Sequence, residues 1–228
     1  MDIQPGTQVS QVVLDHPETV NIFRAHHIDF CCGGRVSLQA TCEKIGLDLS
    51  GLIGELEGAI RRRGDIPLTD PRSLTTRELI EHIVVRHHGF LRQSLPVVTA
   101  MSEKVARVHG AHGPKLCALD TAVAHLAALL LPHLDREERV LFPALLGCVP
   151  GEPSPLVARE LAEMHRDHLE VGRTLESMRA LADDYAVPDW GCITYRTLFA
   201  ELEALEADIH RHVHLENNVL MPRYARLS

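Results

Sequence analysis

The 228-residue sequence has few aromatic residues, no excess of basic charge and no long apolar run. Aromatic residues make up 4% of the chain, and 23 Lys and Arg residues against 31 Asp and Glu residues give a formal net charge of −8. This charge argues against nucleic acid as a partner, because binding the phosphate backbone requires a basic surface. The longest apolar stretch, residues 126–131, is far shorter than the roughly 20 residues that span a bilayer. We therefore expect no transmembrane helix and no membrane partner.

An export signal is also missing from the start of the chain. The first residues contain neither a basic segment nor an apolar core of the kind that directs secretion. We therefore expect a cytoplasmic location, where the six cysteines remain thiols. At about 150 residues per domain, the length predicts one large domain or a moderate domain with a small one.

Strand-like alternation of apolar and polar residues is absent, and the pattern favours an all-α fold. Four long segments rich in Leu, Ala, Val, Glu and Arg have apolar residues at i, i+3 and i+4 spacing. Thr75 and Glu78 form a capping-box pattern at the start of the first segment. Because short turns connect the segments, we predict an up-down-up-down four-helix bundle. The predicted helices cover residues 75–108, 115–148, 154–183 and 190–226.

The first part of the chain has a different pattern. Its apolar segments are shorter and are interrupted by the sequence Cys31-Cys32-Gly33-Gly34. We predict a small helical N-terminal domain over residues 1–66, followed by the bundle domain over residues 67–228.

The chain is rich in histidine, with 15 in all, and two of these histidines form a repeated motif. An HxxxE spacing places an imidazole and a carboxylate one helical turn apart on the same face. It occurs at His133/Glu137 and at His212/Glu216, where Val, Leu and Pro follow in the same register. This internal repeat predicts that the second and fourth helices each supply one His and one Glu to a metal site.

The first and third helices are predicted to supply one histidine each. Counted from the predicted turns, antiparallel helices would bring His88, His133 and His168 to the same level in the bundle. His87 is the neighbour of His88, and His165 lies one turn from His168, so both remain alternatives.

The residue types indicate the kind of metal. Imidazole and carboxylate ligands without thiolate favour iron or manganese in a dinuclear, carboxylate-bridged site over a structural zinc site, which prefers cysteine. Two divalent ions with two glutamates retain a positive charge that would bind an oxide or a small anionic ligand. Six protein ligands leave open positions, so we expect a centre that reacts with small molecules.

Two motifs together resemble one known family. The segment Ile-Asp-Phe-Cys-Cys-Gly-Gly at residues 28–34, followed by His-xxx-Glu-Asn-Asn-Val-Leu at residues 212–220, is similar to the repair-of-iron-centres (RIC) proteins, or di-iron iron–sulfur cluster repair proteins. The resemblance covers essentially the whole chain. It implies a CCGG-containing N-terminal domain and a C-terminal hemerythrin-like bundle with two iron ions, oxo- and carboxylate-bridged. The implied ligands are His88, His133, Glu137, His168, His212 and Glu216.

The third helix departs from the family pattern. The family usually has Glu-His at this ligand, whereas this chain has Asp167-His168 with an additional His165. We expect Asp167 to keep the acidic role beside the ligands, and His165 to lie beside them or to replace His168.

The adjacent cysteines are predicted to act in redox chemistry or in handling iron or sulfur. Neighbouring residues are too close for an ordinary unstrained disulfide, and a Cys-Cys-Gly-Gly turn exposes two sulfurs beside free backbone amides. With the family resemblance, we favour this role for Cys31 and Cys32 over simple packing, and Cys42 could join them. Cys117, Cys148 and Cys192 are predicted to be packing residues.

The resemblance implies repair of iron–sulfur clusters damaged by nitrosative or oxidative stress. The protein would donate iron, or reduce nitric oxide to nitrous oxide at the di-iron site, so an enzymatic activity is left open. Nitric oxide or dioxygen would be the small ligands, damaged iron–sulfur proteins the clients, and a homodimer is also left open. The alternative is a hemerythrin-like protein that binds oxygen or senses oxygen or nitric oxide. A purely structural helical module would carry no iron.

Overall fold

A computed structural model of the chain describes residues 3–63, 69–152 and 154–224. Within these ranges the regular structure is helical, with no strand and one isolated antiparallel bridge between Gln8 and Ser37. The predicted all-α fold is therefore confirmed. The predicted domain boundary at residues 66 and 67, and the predicted end of the last helix at residue 226, lie outside the described residues.

Four short helices form the N-terminal part of the chain. The third begins after Ser37, whose side chain accepts a hydrogen bond from the Ala40 amide at 3.2 Å, and it ends at Gly46, where φ is 71°. Glycine adopts this left-handed conformation without steric cost. Phe23 and Leu56 are fully buried in the apolar cluster that these helices share. The helices are α1 (Val9–Asp15), α2 (Val20–Ala25), α3 (Leu38–Ile45) and α4 (Leu49–Arg63).

The bundle begins at a capping box. The Thr75 side chain accepts a hydrogen bond from the Glu78 amide at 3.2 Å, and the Thr75 amide donates to the Glu78 carboxylate at 2.8 Å, as predicted. Each of the four predicted long helices is present, although three of them are broken into shorter elements. These elements are α5 (Thr76–His82), α6 (Gly89–His109), α7 (Lys115–Arg136), α8 (Phe142–Leu146), α9 (Pro155–Leu181) and α10 (Ile193–Leu215).

A π-helical turn interrupts three of the four bundle helices, and each turn contains a residue predicted to bind metal. The turns are Ile83–His88, Glu137–Leu141 and Glu216–Leu220. Pro143 and Pro222 follow the second and third turns and lack the amide that continues an α-helical ladder. The added residue in each turn changes the direction of the side chains around it, and such turns are frequent at functional sites.

Two apolar clusters lie on either side of the predicted ligands. Along the first and third bundle helices the chain passes from the smaller cluster through the ligand to the larger one, and along the second and fourth it passes the other way. The directions therefore alternate, which confirms the up-down-up-down order. The larger cluster also includes the N-terminal helices, whereas the smaller one contains Leu79, Ile83, Phe142, Met164, Leu220 and Tyr224.

The helix over Lys115–Leu146 is long and apolar enough to span a membrane by length and composition, since an 18-residue window within it has a mean hydropathy of 1.5. The expectation of no transmembrane helix was based on the length of uninterrupted apolar runs. A hydropathy average over a window gives a different result because it tolerates isolated polar residues. Leu126 and Leu130 of this helix are buried in the larger apolar cluster. Core helices of soluble bundles pass the same test, and 33% of this apolar window is buried.

Candidate metal centre

The six side chains predicted as ligands meet in the middle of the bundle. One histidine comes from the end of the first π-helical turn, and one comes from α9. One His/Glu pair comes from the junction of α7 with the second π-helical turn, and the other from the junction of α10 with the third. All six are buried, with at most 5% of their surface exposed: His88, His133, Glu137, His168, His212 and Glu216.

Glu137 lies between two pairs of histidines. Its Oε2 is 3.4 Å from His88 Nε2 and 4.0 Å from His212 Nε2. Its Oε1 is 3.2 Å from His133 Nε2 on the other side. One carboxylate therefore faces both pairs, with one oxygen towards each.

Glu216 has the equivalent position on the fourth helix. Its Oε1 is 3.0 Å from His212 Nε2, and its Oε2 is 3.2 Å from His168 Nε2. Both glutamates thus belong to two groups of four residues, and the ligand atoms within each group all lie within 4.8 Å of one another. The groups differ only in their histidines, which are His88 and His212 in one and His133 and His168 in the other.

Several buried atoms of this cluster lack hydrogen-bond partners, whereas His88 Nε2 lies 3.2 Å from His212 Nε2. Both carboxylate oxygens of Glu137 and of Glu216, and the Nε2 atoms of His133 and His168, are without one. Although the atoms are close together, they are not aligned to donate and accept, and leaving buried charged atoms unpaired is costly. Convergent imidazole and carboxylate atoms of this kind fit two transition-metal ions.

Neighbouring side chains orient three of the histidines. The Nδ1 atoms of His88, His133 and His168 lie 2.8 Å from Glu138, 3.2 Å from Asp167 and 3.0 Å from Asn217, respectively. An oxygen that accepts from Nδ1–H leaves the Nε2 lone pair free to bind metal and fixes the ring orientation.

Asp167 therefore lies beside the predicted ligands, but it contacts His133 of the second helix rather than the adjacent His168. His165 is exposed and is not part of the cluster. Glu138 and Asn217 were not predicted to contact the ligands, although each directly follows a predicted ligand, Glu137 and Glu216.

His87, the alternative to His88, lies outside the ligand cluster. It is buried, its Nδ1 is 3.0 Å from Asp208, and its ring stacks on His212 with the ring centres 5.9 Å apart. The structure thus brings His88 rather than His87 to the shared glutamates.

Neighbouring charges shift the pKa values of the clustered residues when no metal is bound. Burial by itself would lower the pKa of His133, but the charge of Glu137 and the contact with Asp167 raise this pKa to about 10. Burial would raise the pKa of Glu216, but His212 and His168 hold it well below its usual range. Without metal, His133 therefore stays protonated at neutral pH, and a metal ion that binds at this imidazole must displace its proton.

The adjacent cysteines follow α2 in a turn organised by Asp29. Its Oδ1 accepts hydrogen bonds from the amides of Cys31 and Cys32, both at 2.9 Å, and its Oδ2 accepts from the Gly33 amide at 2.7 Å. A Cβ atom at Gly34 would lie 2.4 Å from the Phe30 carbonyl oxygen, so the turn requires glycine there.

The two sulfur atoms of this turn are free thiols 3.6 Å apart. The contact with Cys32, together with burial, raises the pKa of the Cys31 thiol. Asp29, Cys31 and Cys32 are close enough to hold a metal ion together, whereas Cys42 is buried in the apolar cluster.

The remaining cysteines only partly follow the prediction. Cys148 packs against the smaller apolar cluster. Cys117 and Cys192 are exposed, so the prediction that they are packing residues is wrong. Cys117 lies on a different face of α7 from the buried Leu116 and Leu119, and Cys192 is the N-cap residue that precedes α10.

Comparison with known proteins covers both parts of the chain. A family model described as the hemerythrin HHE cation binding domain matches residues 79–224, and one described as a domain of unknown function (DUF542) matches residues 6–60. The iron–sulfur cluster repair protein ScdA of Staphylococcus haemolyticus is 33% identical over 218 residues, which are 95% of this chain and 97% of that protein. The iron–sulfur cluster repair protein YtfE of Yersinia pseudotuberculosis is 32% identical over 211 residues, which are 92% of each chain.

The chain belongs to the ScdA/YtfE family of iron–sulfur cluster repair proteins. The resemblance drawn from the CCGG segment and the HxxxE repeats is therefore confirmed. All six clustered residues of this ScdA/YtfE family member lie inside the range matched by the cation-binding HHE domain.

Proposed function

We propose that this protein carries a di-iron centre and serves in the repair of iron–sulfur clusters damaged by nitrosative or oxidative stress. One observation carries the proposal: two buried glutamates are shared by two pairs of histidines, and their oxygens have no hydrogen-bond partner. That arrangement fits a pair of metal ions, and the names of the relatives supply the process.

The ligands divide equally between two ions. His88 and His212 would hold one ion, His133 and His168 the other, and Glu137 and Glu216 would bridge them. A pair of ferrous ions held by these residues would supply two electrons to one small oxidant. Glu138, Asp167 and Asn217 hold three imidazoles in place by their Nδ1 atoms.

Burial of the ligands favours a small molecule as the reactant. Since at most 5% of each ligand is exposed, a protein client has no direct access to the centre. Reduction of two molecules of nitric oxide to nitrous oxide and water consumes two electrons and two protons, which fits a two-ion site. We therefore propose this reaction as the first candidate activity in the cytoplasm, with iron donation to damaged clusters as the second.

Iron content tests the proposed ligands. The protein and its Glu137→Ala and Glu216→Ala variants are reconstituted anaerobically, and bound iron is measured beside a Glu201→Ala control, which alters an exposed glutamate of α10. We expect about two irons in the wild type and the control, and loss of at least one in each of the other variants. Two irons and unchanged visible spectra in both bridging-residue variants would refute the assignment.

Activity is tested on the reduced, iron-loaded protein. Nitrous oxide is measured during repeated additions of nitric oxide with excess reductant, and recovery of a nitric-oxide-damaged [4Fe–4S] hydratase is followed in parallel. Many nitrous oxide molecules per chain would support the first activity. At most one, with labelled iron appearing in the hydratase, would support the second. Reversible oxygen binding with neither activity would contradict both and favour the oxygen-binding alternative.

A further inference from the structure

Asn217 lies between the candidate metal centre and the cysteine turn. Its Oδ1 is 3.0 Å from His168 Nδ1, and its Nδ2 is 3.0 Å from the Cys31 carbonyl oxygen. The residue is 6% exposed. One buried amide thus contacts a proposed metal ligand with one end and the N-terminal part of the chain with the other.

The direction of these two hydrogen bonds follows from the Cys31 carbonyl oxygen, which can only accept. The amide nitrogen of Asn217 therefore donates to it, and Asn217 Oδ1 faces His168. Because an amide oxygen also only accepts, the Nδ1–H of His168 donates to Asn217 Oδ1. The two bonds form a chain in which donation by His168 strengthens donation by Asn217.

Cys32 lies between this pair of hydrogen bonds and a solvent-accessible cavity. Its Sγ is 3.7 Å from the His168 carbonyl oxygen and 3.9 Å from Asn217 Nδ2. The residue is half-buried and lines a cavity of about 370 Å³ between the cysteine turn and the bundle. A small reagent in the cavity therefore reaches a thiol that contacts both His168 and Asn217.

We propose that Asn217 is a positioning residue that couples the Cys31–Cys32 turn to the metal centre. Metal bound at His168 slows the modification of Cys32, and modification of Cys32 weakens metal binding. The inference rests on the proposed metal centre.

The coupling has a physical cause and an expected size. A metal ion at Nε2 would make the Nδ1–H of His168 a stronger hydrogen-bond donor. The stronger bond would polarise the Asn217 amide and strengthen its hydrogen bond to the Cys31 carbonyl oxygen. The turn then opens less often towards the cavity. A single hydrogen bond corresponds to an effect of about fivefold on the opening equilibrium of the turn, and the modification rate follows that equilibrium. Because a modified Cys32 holds the turn open, linkage between turn opening and metal binding predicts a metal affinity about fivefold lower.

Asn218 provides a matched control. Its Nδ2 donates to the same Cys31 carbonyl oxygen, at 3.2 Å. Among the described residues its hydrogen bonds include none to a proposed metal ligand; its other contact is with His214. Asn218→Ala therefore removes a similar support of the turn without interrupting the path to His168.

The experiment measures the rate at which N-ethylmaleimide modifies Cys32, located by mass spectrometry, in metal-free protein and in protein with two equivalents of ferrous iron. The exposed Cys117 and Cys192 are changed to serine in every variant. We expect iron to slow the reaction about fivefold in the wild type and in Asn218→Ala. In Asn217→Ala, and in Asn217→Asp, which keeps an acceptor for His168, iron is expected to have no effect.

A second measurement requires no change at Asn217. Ferrous iron affinity is compared before and after modification of Cys32, with an expected loss of about fivefold. Equal slowing in the wild type and in both Asn217 variants would overturn the proposal, as would absence of slowing in iron-loaded wild type. If the wild type binds no iron, the proposed function itself fails, which is a separate result.

Discussion

The raised pKa of His133 predicts that the metal-free protein loses stability in alkaline solution. The pKa of this imidazole is about 10 in the folded, metal-free chain, against about 6.5 in an unfolded one. Because the folded value is higher, the stabilisation is fully present below pH 6.5 and is lost as the pH rises through 10. Between pH 7 and pH 9.5, this single group accounts for a loss of about 3 kcal/mol in the free energy of unfolding.

The assay is urea denaturation of the metal-free protein at pH 7 and pH 9.5, followed by circular dichroism. The Cys31 thiol, whose pKa is also raised, contributes a loss of the same sign. The His133 contribution is therefore the difference between the wild type and His133→Gln, which cannot titrate at this position.

Iron-loaded protein provides the complementary measurement. A metal ion at His133 Nε2 replaces the proton, so the loaded protein should lack this part of the pH dependence. At pH 8, loading should release close to one proton from His133, measurable by calorimetry in buffers of different ionisation enthalpy. Equal pH dependence in the metal-free wild type and in His133→Gln, together with no proton release, would refute the reasoning.

Four further substitutions test separate parts of the structure. Gly34→Ala should destabilise the cysteine turn by roughly 1–3 kcal/mol in thermal unfolding, because its Cβ would clash with backbone; Gly54→Ala, with open space in α4, should stabilise by about 0.5–1 kcal/mol. Glu138→Ala removes the partner of His88 Nδ1 and should weaken iron binding about 10–100-fold in a competition titration. Thr75→Ala breaks the capping box and should cost about 1 kcal/mol in urea denaturation. Unchanged iron affinity in Glu138→Ala, or unchanged stability in the other destabilising variants, would contradict the corresponding contact.

The HxxxE repeats contained most of the information on the candidate site. A histidine and a glutamate four residues apart share a helix face wherever the helix packs, so His133/Glu137 and His212/Glu216 were predictable as local pairs. The matching residues that follow each pair then indicated equivalent positions in two helices.

The sequence did not predict that each of the two glutamates faces both pairs of histidines. Glu137 faces His88 and His133 from opposite sides because three helices meet at its level. The π-helical turns at the ligands also had no clear signal in the sequence, apart from Pro143 and Pro222, which follow two of them.

The sequence by itself determined the helical periodicity, the capping box, the antiparallel order of the bundle and the local His/Glu pairs. Each of these depends on residues close together in the chain, where backbone geometry sets which side chains meet. Only the tertiary structure decided between His88 and His87, placed Asp167 against His133, and connected Asn217 to both His168 and Cys31. Adjacent residues on a helix point in directions about 100° apart, and packing against distant helices selects which of them faces the centre.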